Sequence, residues 1–147
     1  MTILDALDHK ILRELQVDAR ISTVDLAARV GLSPTPCARR VKRLEDSGVI
    51  QGYAAKINPS AMGLAICVVV SVRLGKQGPE GAGEFLREVA KRPEITECLL
   101  VTGSIDYLLR VWVKDIAALR NFISNVLQSI PSVAETSTMV VLNLDQP

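Results

Sequence analysis

From Leu64 to Leu144 the chain switches between two hydrophobic periods in a fixed order, and few folds accept that order. LAICVVVSVRL (Leu64–Leu74) is rich in β-branched residues and reads as a strand. Ala82, Phe85, Leu86, Val89 and Ala90 then recur at helical spacing, which predicts an amphipathic helix ending before Pro93. ITECLLV (Ile95–Val101) and YLLRVWV (Tyr107–Val113) read as two strands joined by the tight turn TGSID. Ile116, Leu119, Ile123, Val126, Leu127 and Ile130 predict a second amphipathic helix, stopped by Pro131, and Thr136 to Leu144 supplies a last strand. The order βαββαβ predicts a ferredoxin-like sandwich over residues 64–147, one antiparallel sheet with two helices on one face.

That architecture serves many functions, so particular residues must decide. An RNA-reading sheet needs aromatics on its central strands, but aromatics are 3% of the chain and the first strand offers Val68, Val70 and Val72. GKQGPEGAG lacks the spacing of a phosphate-binding loop and reads as a flexible loop. Cys, Ser and His are scattered without a nucleophile–base motif, so no catalytic residues are expected. TGSIDYLL is different. Gly103 can present backbone N–H groups at a tight turn, and Asp106 places a carboxylate beside them. Either Asp106 caps its own turn, or the pair holds the carboxylate and ammonium of an amino acid.

The first sixty residues follow another pattern. Leu4, Leu7, Ile11, Leu12 and Leu15 predict a helix over about Asp5–Val17, with Asp5 and Asp8 near its start, where the helix dipole favours acids. Ser22 and Asp25 have capping-box spacing, and Gly31 suits a C-terminal cap, which predicts a second helix over Thr23–Val30. In LSPTPCARRVKRLED, Ser33 suits an N-cap and Pro34 the first helical position; Pro36 still lies in the first turn. At about 100° per residue, Cys37, Val41 and Leu44 cluster toward a core. Thr35, Arg39, Lys42 and Arg43 fall on the other side, with Arg40 at the flank.

A short helix, a glycine turn and an N-capped helix with a basic face make a helix-turn-helix. Arginine can bond guanine edges bidentately, and both cations neutralise phosphates. A solvated basic helix without a partner would show the same charge run; the three-helix context favours DNA. Net charge adds little, because residues 1–60 hold 9 Lys/Arg against 7 Asp/Glu (+2) and residues 61–147 hold 8 against 9 (−1). VIQGYAAKINP, after Gly48, reads as a strand, either the wing of a winged helix-turn-helix or a hinge.

No apolar run reaches the roughly 18 residues of a membrane span. MTILDALDHK carries acids where a signal peptide has cations, and the three cysteines form no C-x-x-C pair. A reduced, cytoplasmic chain without membrane, metal or cofactor is expected, and lone His9 is expected on a helix surface.

GLSPTPC (Gly31–Cys37), RVKRLEDSGVIQGY (Arg40–Tyr53) and TGSIDYLLRV (Thr102–Val111), in this order and spacing, resemble the Lrp/AsnC family of leucine-responsive, feast/famine transcription regulators. The resemblance spans nearly the whole chain. It implies a helix-turn-helix, a hinge strand and a sensing domain that dimerises, often assembles to octamers, and binds amino acids or related molecules near Gly103–Asp106. The chain stops at Asp145-Gln146-Pro147, where relatives often carry a longer tail; the expectation is a homodimer, with the octamer depending on that tail.

The reading is thus an α+β protein: a (winged) helix-turn-helix over 1–50, a hinge strand and linker over 51–63, and a ferredoxin-like βαββαβ sensing domain over 64–147. Double-stranded DNA would be contacted by Ser33, Thr35, Pro36, Arg39, Lys42 and Arg43, with Arg40 on phosphate. The effector would meet Thr102, Gly103, Ser104 and Asp106. The rival is an amino-acid-binding module or metabolic enzyme with a helical appendage that does not bind DNA.

Overall fold

A computed structural model describes residues 3–75 and 78–142. The chain divides into two compact units, Met1–Lys56 and Ile57–Pro147.

The first unit has three helices: α1 (Ala6–Val17), α2 (Thr23–Val30) and α3 (Pro34–Asp46). Asp5 caps α1 in a full capping box: its carboxylate accepts the Asp8 N–H at 2.9 Å, and the Asp8 carboxylate accepts the Asp5 N–H at 3.0 Å. Ser22 caps α2, its hydroxyl oxygen accepting the Asp25 N–H at 3.1 Å. Gly31 ends α2 at φ 78°, a conformation that disfavours any side chain, and the Leu32 N–H returns to the Ala27 carbonyl at 2.8 Å. Three residues, Gly31–Ser33, thus turn the chain from α2 into α3. Ile11, Leu26, Ala27, Val30, Cys37 and Leu44 form the buried core, with Val41 packed against it.

The expected strand after Gly48 is absent: Gln51–Asn58 has no regular structure. Every residue from Gln51 to Asn58 is exposed, and among the described residues no strand pairs its N–H and C=O groups with this stretch. Instead the Tyr53 hydroxyl donates to the Glu45 carboxylate at 2.8 Å, drawing the segment back toward α3.

The second unit opens with Asn58 capping a 3-10 turn, Pro59–Met62. It continues as β1 (Ile66–Leu74), α4 (Pro79–Val89), β2 (Ile95–Leu100), β3 (Tyr107–Val113), α5 (Ile116–Asn121), a π-helical turn (Phe122–Leu127) and β4 (Val133–Val140). The sheet order is β2-β3-β1-β4, antiparallel throughout. This is the expected α+β arrangement. Alternation on β1 sends Val68, Val70, Val72 and Leu74 into the core. There they join Leu109 and Val111 of β3, Phe85 and Val89 of α4, and Phe122 and Leu127. The Phe85 and Tyr107 rings lie 4.8 Å apart, centre to centre.

Three elements of this unit differ from the sequence reading by more than two residues. α4 begins at Pro79, so the second half of the expected GKQGPEGAG loop is helical: Pro79 suits a first helical position and Glu80 the positive end of the dipole. Lys76 and Gln77 lie outside the described residues. The single helix expected over Ile116–Ile130 changes to a wider turn at Phe122, where the Gln128 N–H reaches back to the Ile123 carbonyl at 2.9 Å. β4 begins at Val133 because its ladder with β1 continues through an irregularity at Arg73/Leu74. The expected end of that strand, at Asn143 and Leu144, and the tail Asp145–Pro147 lie outside the described residues.

Candidate functional site

α3 carries the basic face, and its first turn follows from two prolines. Ser33 sits at the N-cap with extended backbone but makes no side-chain cap bond. The reason is covalent: Pro34 and Pro36 have no N–H, so among the first three residues of α3 only Thr35 can donate from the backbone. Ser33 and Thr35 are exposed and Pro36 is half-buried.

The cations divide into two groups. Arg39 is exposed and has no hydrogen-bond or ion-pair partner among the described residues. Lys42 is exposed and reaches Asp46 one turn on, at 3.2 Å. Arg40 and Arg43 are committed elsewhere. Arg40 donates to Asp5 at 2.6 Å and to Asp8 at 2.9 Å, and Arg43 donates to Asp8 at 2.5 Å. The sequence reading put Arg40 at the flank and Arg43 on the face opposite the core; what it did not foresee is that both are paired with acids of α1. The helical wheel of α3 omits α1, whose N-terminus brings a fully buried Asp8 against that flank. Burial pushes the Asp8 carboxyl up, but the Asp5 N–H and the Arg40 and Arg43 guanidiniums outweigh it and hold the group below its ordinary value. Leu32, Pro36, Arg39, Arg40 and Arg43 line a shallow cleft of about 350 Å³ on this face.

Sequence reading assigned Asp5 and Asp8 only to the helix dipole. Their Asp-x-x-Asp spacing was the available signal for a capping box. Nothing in it announced that arginines some thirty-five positions later would complete the network.

The turn after β2 presents a second surface. Thr102, Gly103 and Ser104 are exposed, and Gly103 takes φ 122°, which a side chain would strain. Asp106 turns away from the loop: its carboxylate accepts the Leu74 N–H at 2.7 Å, and its own N–H donates to the Val72 carbonyl at 2.9 Å. It therefore ties the β3 entry to the end of β1 instead of capping its own turn. Ser104 and Ile105 border a pocket of about 380 Å³ completed by Ser71, Arg73, Glu135 and Ser137. Thr102, Gly103 and Asp106 do not line it. Arg73 and Glu135 stand opposite each other on β1 and β4 and form an ion pair at 2.5 Å. These four lining residues escaped sequence reading, because a pair 62 positions apart is visible only once the strand register is known.

A family model described as the Lrp/AsnC ligand binding domain matches residues 67–144, and one described as winged helix-turn-helix DNA-binding matches residues 4–51. The leucine-responsive regulatory protein of Escherichia coli K12 is 47% identical over 139 residues, 95% of this chain and 85% of that protein. The chain belongs to the Lrp/AsnC family. Solved Lrp/AsnC-like structures share this fold over nearly the whole chain. A transcriptional regulator–L-Met complex from Neisseria meningitidis superimposes with a TM-score of 0.93 at 35% identity, covering 99% of this chain and 94% of that one. An AsnC family regulator from Agrobacterium tumefaciens gives 0.89 at 37% identity, covering 98% and 94%. As an Lrp/AsnC protein, the chain is a transcription regulator with an N-terminal helix-turn-helix DNA-binding domain and a C-terminal ligand-binding domain. Among the described residues no helix is long and apolar enough to cross a membrane.

Proposed function

We propose that this regulator reads duplex DNA through the exposed face of α3 and that an amino acid bound in its C-terminal unit modulates that reading. Arg39 and Thr35 take the base edges, Ser33, Pro36 and Lys42 the adjoining backbone, and the outward sides of Arg40 and Arg43 the phosphates. The observation that carries this is Arg39: an exposed, unpaired guanidinium one turn beyond an N-terminus whose prolines leave a single backbone donor. For the ligand, Arg73 offers a cation to a carboxylate, Glu135 an anion to an ammonium, and the serines neutral hydrogen bonds. Ser104 borders this pocket, Thr102 and Gly103 belong to the same exposed turn, and Asp106 ties that turn to the end of β1. The Neisseria relative's complex with L-Met supports an amino acid as the ligand class.

The working unit is a homodimer in the cytoplasm, with a boundary between the reading and sensing domains within 51–63. A two-fold axis presents two α3 helices to half-sites about 34–36 Å apart. The ligand is bound and released unchanged, not transformed.

A thermal-shift screen of the full chain against the twenty amino acids tests the ligand assignment. A ligand that binds only the folded state at a hundred times its Kd adds about 2.7 kcal/mol of apparent stability. The expected result is a rise for one or a few amino acids that Glu135→Gln abolishes. No rise with any of them, or an undiminished rise in Glu135→Gln, contradicts the pocket assignment.

A further inference from the structure

Asp8 is fully buried in the first turn of α1, yet two of the groups that satisfy it belong to α3. Its Oδ1 accepts from Arg40, and its Oδ2 accepts from Arg43 and from the Asp5 N–H. A buried carboxylate is unfavourable unless charged donors surround it, so these arginines are held firmly. Neither is used up. The Arg43 side chain remains 49% exposed and that of Arg40 27%. A guanidinium has several donors, and Arg40 and Arg43 line the shallow cleft together with Arg39.

We propose that Asp8 is a specificity-determining positioning residue for DNA reading: it fixes the orientation of Arg40 and Arg43 and masks part of their charge against random phosphates. The inference rests on α3 being the DNA-reading helix. Nonspecific affinity comes almost wholly from neutralised phosphates, and an arginine tied to a buried anion contributes less to it. Specific contact instead rewards a guanidinium already held in one geometry, because less freedom is lost on binding. The same clamp therefore weakens binding to random DNA and supports binding to the correct site.

The test is Asp8→Asn in the full chain, titrated against the protein's own upstream DNA and an unrelated duplex of equal length. Both titrations run across a range of salt. Asn keeps the size and an acceptor but removes the charge. The expected result is nonspecific affinity raised about 3- to 10-fold, with a salt slope steeper by about one to two. Specific affinity does not rise with it, so the specific-to-nonspecific ratio falls. A role in folding alone would lower both affinities in proportion and leave ratio and slope unchanged, and that result overturns the proposal. If Asp8→Asn does not fold, Asp5→Asn carries the test, since Asp5 is 51% exposed and holds only one bond to Arg40. There the nonspecific slope should steepen by less than one, and an unchanged slope overturns the clamp. A parent that prefers neither duplex overturns the DNA assignment itself. A parent that discriminates while Asp8→Asn discriminates equally well overturns the clamp alone.

Discussion

Arg39 and Arg43 lie four positions apart on one helix and should behave as different kinds of residue. Arg39→Ala removes an exposed, unpartnered side chain, so stability should stay within about 0.5 kcal/mol of the parent. Its DNA binding should still weaken. Loss of about 1–3 kcal/mol of discrimination at one base pair would identify a base contact, and a salt slope smaller by about one would identify a phosphate contact. Arg43→Ala leaves a buried carboxylate with Arg40 and one backbone donor. It should cost about 1–3 kcal/mol in urea unfolding before DNA is considered. Acid should act on the same network. The Asp8 carboxyl is held below its ordinary 3.8 in the folded chain, so its contribution is fully present above that value. It is lost as pH falls through the lower folded value. Stability should therefore decline more steeply below about pH 4 in the parent than in Asp8→Asn, and parallel acid profiles would contradict the network.

The TGSID turn shows how an element can reassign a residue. With one carboxylate oxygen on the Leu74 N–H, Asp106 closes the ladder between β1 and β3 at its open end. Asp106→Ala should therefore lower the melting temperature with or without amino acid, by about 1–3 kcal/mol of stability. Loss of the ligand-induced rise with unchanged melting would instead make Asp106 an effector contact. This distinction was not legible in the sequence, where Asp106 had only its own loop for company. What could be read was whatever depends on short spacing: the α2 cap at Ser22, the turn at Gly31, the inward side of α3 and the β3 span Tyr107–Val113. What could not be read depends on a neighbour supplied by folding. The strand expected near Tyr53 lacked a partner, Arg40 and Arg43 acquired one in α1, and Glu135 met Arg73 only through the β1–β4 register. The π-helical turn at Phe122 is also a packing outcome, since its apolar positions fit the ordinary helical period nearly as well.

Each unit owns a separate buried core, which bears on how the molecule divides its tasks. Residues 57–147 expressed alone should unfold in one cooperative transition and sediment as a dimer. Residues 1–56 alone should bind DNA feebly, because one reading helix without a second at fixed spacing gains nothing from multivalency. A monomeric C-terminal fragment at micromolar concentration would contradict the dimer assignment. The reading of the whole protein stands on sequence-selective DNA binding through α3. The most direct measurement is a fluorescence titration of the parent and Arg39→Ala against the protein's own upstream DNA and an unrelated duplex at physiological salt. The account predicts that the parent binds its upstream DNA at least about 10³-fold more tightly than the unrelated duplex. It also predicts that Arg39→Ala, folded as the parent is, loses affinity for the upstream DNA. Equal affinity of the parent for both duplexes, or an undiminished affinity in Arg39→Ala, would contradict it.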